Sequence, residues 1–199
     1  KFKKASRKGH FDIQKFVECY FEIPEPATSS FTSDQSLPTE EHIEKILVQL
    51  TKKIEAKGAI TIPLPYPHVM QTGTADCYDY AGDYFTMVGL AATGKIELVK
   101  NMVDNYASII NEYGYVPYGN RSYQQSHSQA PYFSLMVRLL AKKDTAVMLE
   151  DYLIPMEKEY GFWMSESEML SNLESARKRV VLMPHGEIMN RYWDDNQTP

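Results

Sequence analysis

Apolar residues recur at helical spacing along most of the chain. The clearest case is Ile96 to Tyr113, where Val99, Met102, Val103, Tyr106, Ile110 and Tyr113 fall on one stripe and Gly114 follows as a left-handed stop. A second stripe, Ile43, Ile46, Leu47, Leu50 and Ile54, predicts a helix from about Thr39 to Lys57 closed by Gly58. Near the start, Asp12 is placed to cap a short helix carrying Ile13, Phe16, Val17 and Tyr20, which must end before Pro24 and Pro26. Shorter, more uniformly apolar runs predict buried helices over Tyr84 to Thr93, stopped by Gly94, and over Pro131 to Ala141. Asp144 can cap a further helix reaching Met164, broken or kinked near Pro155. Only Arg179 to Met183 and Glu187 to Tyr192, flanking Pro184-His185-Gly186, read as a β-hairpin, and it is the single hairpin expected.

Three stretches break the periodicity. Residues 24–38 hold three prolines among Ser and Thr and predict a surface loop. Ile60 to Tyr84, with Pro63, Pro65, Pro67 and Gly73 in its path, is too long for a bare connection and predicts an ordered, function-bearing loop. Tyr115 to Gln129 is a second polar-aromatic loop, so the pattern as a whole predicts an all-α architecture of helical pairs with long loops at one end. No fixed-period repeat is present.

Composition narrows the class. The 199 residues, 43% hydrophobic and 24% charged, fit one globular domain or one large part of a domain. A net charge of −5 argues against a nucleic-acid partner, and the basic start (Lys1, Lys3, Lys4, Arg7, Lys8) reads as a solvated terminus. No apolar run approaches membrane-spanning length, so no membrane partner is expected. Cys19 and Cys77 sit in no paired spacing and read as small buried side chains, while the five histidines are scattered; neither set predicts a disulfide or a metal site. Tyr outnumbers Phe by 14 to 8, which suits a wet cleft as well as a core.

The two loops are where chemistry can sit. Gln71 to Asp83 and Tyr118 to Gln129 both precede helices and are dense in amides, hydroxyls and Tyr rings, the groups that hold sugar hydroxyls and ring faces. The same side chains are also the ordinary material of turns and caps, and both readings stay open at this point. Asp76, Asp79 and Asp83 crowd one loop without distinguishing an acid from a base. Ser126, His127 and Ser128 have no nucleophile elbow, and no glycine-rich phosphate turn occurs. Residue chemistry alone therefore reaches a polyol pocket and no further.

An ordered series of motifs carries a resemblance. Ile62-Pro63-Leu64-Pro65-Tyr66-Pro67 leads to Tyr84-Phe85-Thr86-Met87-Val88-Gly89-Leu90-Ala91, then Met102-Val103-Asp104-Asn105 and Tyr113-Gly114-Tyr115-Val116-Pro117. Gly119-Asn120-Arg121-Ser122-Tyr123, Ser128-Gln129-Ala130-Pro131 and Met189 through Pro199 complete it. This series resembles bacterial-type trehalases over nearly the whole chain. The resemblance implies part of an (α/α)6 toroid, with residues 1–199 forming the N-terminal portion of one such domain, incomplete at the C-terminus. It implies hydrolysis of trehalose, the small-molecule disaccharide, by an inverting two-carboxylate mechanism without cofactor or metal. The matched positions Tyr84, Asn120, Arg121, Ser128 and Gln129 are the substrate-binding residues it implies, whereas both catalytic carboxylates of the family lie downstream of the Asn190 to Asp194 stretch.

Departures from the family pattern are concentrated. Against its PGGRF…YYWDSYF signature the chain has Thr74 for Arg, Ala75 for Phe, Ala81-Gly82 for Trp-Asp and Asp83 for Ser. Tyr118 replaces the first Asn of PNGNR, and His127 replaces the Arg of S-R-S-Q. Since each lost hydrogen-bonding group costs on the order of a kcal/mol, two expectations follow: a trehalase stretch inactive alone, or a non-catalytic relative that binds a sugar or a partner. The basic lead into Phe11 resembles the cytoplasmic rather than the periplasmic kind.

Overall fold

The computed structural model describes residues 12–15, 36–55, 61–70, 77–141 and 145–196. Asp12 accepts a hydrogen bond from the backbone N–H of Lys15 (3.0 Å), the cap its position predicts. The rest of that helix, the 24–35 part of the first loop and Gly58 lie outside the described residues, as do Gln71 to Asp76 and Asp144.

The first long helix, α1, covers Thr39–Leu50 and stops short of the predicted Lys57. At Thr51 the backbone turns extended, its N–H and hydroxyl both bonding Leu47 O, and the chain continues as strand β1, Thr51–Ile54. Its partner is β2, Leu64–Val69, inside the stretch expected to be loop. The two run antiparallel, Thr51 opposite Val69 and Ile54 opposite Leu64, with an irregularity between Lys52 and Ile54. Pro65 and Pro67 are compatible with this because a two-stranded sheet leaves each strand one unpaired edge, where a missing N–H costs nothing. The expectation of one hairpin is thus corrected: a second antiparallel pair exists, selected by burial of Leu64 and Val69 rather than by local pattern.

Helix α2, Tyr80–Ala92, begins four residues before the predicted start, and Gly94 (φ 78°) ends it. Helix α3, Ile96–Tyr113, matches expectation, with Gly114 at φ 83° donating to Ile110 O over 2.8 Å. Its stripe is buried up to Ile110 and half-buried at Tyr113, together with buried Asn105, Ala107 and Ile109 on further faces, because β2, α2 and the next two helices all pack on it. Those are α4, Phe133–Ala141, and α5, Thr145–Trp163. α4 starts two residues later than predicted. α5 runs without a break through Pro155, where a break or kink was expected; the carbonyl that proline leaves without an i+4 donor belongs to Asp151, an exposed residue.

The predicted C-terminal hairpin forms from β4, Val180–Leu182, and β5, Ile188–Asn190, turning at Gly186 (φ 95°). A third strand, β3, Ala176–Arg177, pairs with β4. The described chain is therefore mainly helical with two small antiparallel sheets. Its core is built on Tyr80, Tyr106, Phe133, Leu64, Met70 and Met87, all at most 1% exposed. Among the described residues no helix is long and apolar enough to cross a membrane.

Candidate functional site

The loop after α3 is clamped on several sides. Gln129 is its brace: its Oε1 accepts from Ala81 N–H in the first turn of α2 (3.2 Å), and its Nε2 donates to Tyr118 O (3.1 Å). Tyr118 N–H in turn donates to His127 O (2.9 Å), drawing the loop into a closed turn. On the other flank Asn120 O accepts from Ile62 N–H (2.9 Å) and the Arg121 guanidinium donates to Thr61 Oγ1 (2.9 Å). Tyr78 OH reaches Pro117 O (2.9 Å). Loop, α2 and the segment before β2 thus form one unit, although 39 to 60 residues separate these partners.

The residues that the sequence singled out are distributed over that unit. Asn120 is fully buried and Arg121 half-buried, both turned to residues 61 and 62. Ser128 is buried, its hydroxyl donating to Gln129 O (2.9 Å). Tyr84 stacks at a tilt on Tyr132 (5.3 Å between centroids) and meets Phe85 edge-on, at the junction of α2 and α4. Gln129 alone of the five bridges loop and helix.

His127 and Asp194 form a second cluster. The imidazole Nδ1 lies 3.2 Å from Asp194 Oδ2 and 3.2 Å from Ser126 Oγ. Both partners meet the same nitrogen, so this is no nucleophilic triad, which needs one partner on each. The ring packs between Tyr118 (4.7 Å) and Tyr192 (5.8 Å), both exposed aromatics. Asp194 is held below the usual carboxylate range, first by the Asn196 N–H and then by Ser126. Next to it, Asp195 N–H donates to Ser126 O (2.9 Å), and its carboxylate takes the Arg179 guanidinium and Trp193 Nε1 (3.0 Å). Arg179 itself lies over the Phe162 ring (3.9 Å), which stacks on Tyr115 (4.2 Å, 6°). Arg179 and Phe162 were invisible as site residues in the sequence; Tyr192 and Asp194 had a signal in the motif that ends the chain.

Two carboxyls are buried nearby. Asp83 Oδ2 meets His68 Nε2 (2.7 Å) and accepts from Tyr106 OH, while Asn105 binds both backbone groups of Tyr66 (2.9 and 3.0 Å) and approaches His68 Nδ1 (3.4 Å). All four side chains of this network are fully buried. Glu159, on α5, accepts from Tyr80 OH (2.7 Å) and from the Phe133 N–H that opens α4. Burial pushes its carboxyl up to about 7, and those two donors only partly counter it. Such a value suits a general acid, but at 5% exposure and committed to Tyr80 and Phe133 it serves as an interior cap of α4. Cys77 is a free, half-buried thiol, not fully buried as expected. Among the described residues no group of three His, Cys, Asp or Glu side chains could hold a metal ion.

A mainly helical scaffold whose braced loops carry tyrosines, amides and hydroxyls is the class of protein that this geometry defines. The sequence model of the trehalase family matches residues 3–199. The chain belongs to the trehalase family. Among solved structures it is similar to neutral trehalase Nth1 from Saccharomyces cerevisiae, at 23% identity and a TM-score of 0.44 over 68% of this chain. The chain spans 24% of the length of that relative.

Proposed function

We propose that this chain supplies a glucose-binding wall of a trehalase-type inverting glycosidase built on an (α/α)6 toroid, and that it does not hydrolyse trehalose by itself. The Gln129 brace carries the reading. It fixes the loop from Tyr118 to Gln129 against the start of α2, the two segments that the resemblance assigns to substrate. Hydrolysis with inversion needs an acid and a base roughly 6.5–9.5 Å apart with a water between them. Four of the described carboxylates bordering these loops have other partners: Asp83 has His68 and Tyr106, Glu159 has Tyr80, Asp194 has His127, and Asp195 has Arg179, while Asp79, at the start of α2, makes no side-chain cap hydrogen bond. In the family pattern both catalytic carboxylates follow the Asn190 to Asp194 stretch, which favours a binding role for the residues here.

One observation favours a second reading, a non-catalytic trehalase-like scaffold that binds another sugar or a partner. Where the family pattern has an arginine, His127 is tied to Asp194 and Ser126 and packed against two tyrosines. Glucose release from trehalose by the purified chain, followed with a glucose-specific assay, tests the first proposal. No release above background is expected; release abolished by a trehalase inhibitor overturns it. Trehalose titration followed by intrinsic fluorescence separates the readings. A saturable change lost in Gln129→Ala supports the glucose-binding wall, and its absence in the intact chain favours the second.

A further inference from the structure

Away from the loops, a groove of about 490 Å³ opens between α3 and α5, beside β2. This lies within the roughly 300–1,000 Å³ range of small-molecule sites. None of its lining residues belongs to the loop from Tyr115 to Gln129. Its centre is Asp104, which receives Lys100 Nζ on Oδ2 (2.6 Å) and Tyr152 OH on Oδ1. The carboxylate is thereby fixed from two helices at once, while two of its roughly four lone-pair positions stay available. The Tyr152 oxygen, having given its proton to Asp104, presents only acceptor capacity. Lys100 keeps two further N–H donors. Asn111 turns its Oδ1 to Lys158 Nζ (3.2 Å) and keeps its NH₂ group. Ser108 adds an exposed hydroxyl, and the half-exposed Tyr66 ring forms a flank.

Donors and acceptors are thus both present in the lining, with Ala107 as an apolar member. The lining holds one lysine and two aspartates, with Lys158 bound to Asn111 at its edge, so it is close to neutral and carries no excess positive charge to hold phosphate or another anion. Lys100, held at the centre, opposes a cationic guest. A neutral ligand with vicinal hydroxyls answers both demands: adjacent hydroxyls donate to Asp104 and accept from Lys100, and a C–H face rests on Tyr66. We propose that this groove is a second, non-catalytic carbohydrate site for a single neutral pyranose unit. Because the polar groups are set before binding, little ordering cost remains at Asp104 and Tyr152. The site is independent of the hydrolytic reading.

The test is titration of the ¹⁵N-labelled full chain with methyl α-D-glucopyranoside and with maltose, and separately with inorganic phosphate and spermidine. Saturable amide shifts at Asp104, Ser108 and Asn111 are expected with either sugar, at a dissociation constant of about 1 mM. Ser108→Phe, at an exposed position, fills the groove and weakens these shifts at least about tenfold, a loss of ~1.4 kcal/mol. Lys100→Met does the same by removing a donor without adding bulk. Gln129→Ala leaves them unchanged. Sugar shifts confined to the loop and lost in Gln129→Ala overturn the proposal. So does saturable binding of phosphate or spermidine without sugar, or no saturable sugar binding at all.

Discussion

Replacing Glu159 by Gln tests how a buried carboxyl couples stability to pH. In the folded chain its pKa rises from the ordinary 4.5 to about 7, chiefly through burial. At ~1.4 kcal/mol per pH unit, that difference amounts to about 3 kcal/mol between the protonated and ionised forms. The sign is that of a raised acid. Below 4.5 both folded and unfolded chains carry the proton and stability is at its full value. Between 4.5 and 7 only the folded chain retains it, so stability falls as pH rises, and above 7 the whole amount is lost. Asp194 and Glu166, both lowered, act in the opposite direction and only at pH values below the ordinary carboxylate range. Urea unfolding followed by far-UV circular dichroism from pH 4.5 to 8 isolates the Glu159 window. Glu159→Gln keeps an oxygen for the Phe133 N–H and an amide group for Tyr80. It should flatten the decline and make the variant about 2–3 kcal/mol more stable than the parent at pH 8, with little difference at pH 4.5. An unchanged decline in the variant, or a loss of stability at pH 8 as large as at pH 4.5, refutes the reasoning.

Two further substitutions probe other points of the fold. Tyr106→Phe keeps the fully buried ring but removes the hydroxyl on Asp83; it should cost about 1.5–3 kcal/mol, read as a lower urea midpoint, and an unshifted midpoint would show that the hydroxyl contributes nothing. Alanine at two glycines should act with opposite signs, since added methyls meet open space at both. Gly114→Ala, at φ 83°, should lower stability by about 1–2 kcal/mol, whereas Gly89→Ala, inside α2, should raise it by about 0.5–1 kcal/mol in the same melt.

What was legible in the sequence was local. Ile96 to Tyr113 and its Gly114 stop lie within one stretch of chain, and the stripe of six apolar positions states both helix and end. The hairpin turning at Gly186 is local for the same reason. β1 was not legible, because Thr51 to Ile54 continues a helical stripe and is claimed by a strand that begins ten residues later. α2 began early because Asp79 O accepts from Asp83 N–H (2.7 Å), while Asp83 is drawn inward by His68 and Tyr106, partners 15 and 23 residues away. Of the site, the family motifs marked the loop and the Asn190 to Asp194 stretch, but not that the two meet at Ser126 and His127. That meeting depends on Arg179 and Phe162, whose side chains carry no motif.

Asp83, which the resemblance sets against a serine, is tied by its partners to two other buried positions. The substitution Asp83→Ser on its own would shorten the side chain and withdraw a carboxylate from the buried His68 and Tyr106. Change at His68 alone would remove one of the acid's two described side-chain partners and leave it with Tyr106. Each one-step route therefore passes through a less stable protein, and the two positions are expected to drift only together or in a set order, with a partner change at 68 or 106 preparing the way. A double-mutant cycle on His68 and Asp83 would read that coupling as non-additivity. The buried network thus couples positions 68, 83 and 106, so that a change at any one of them alone is expected to lower stability.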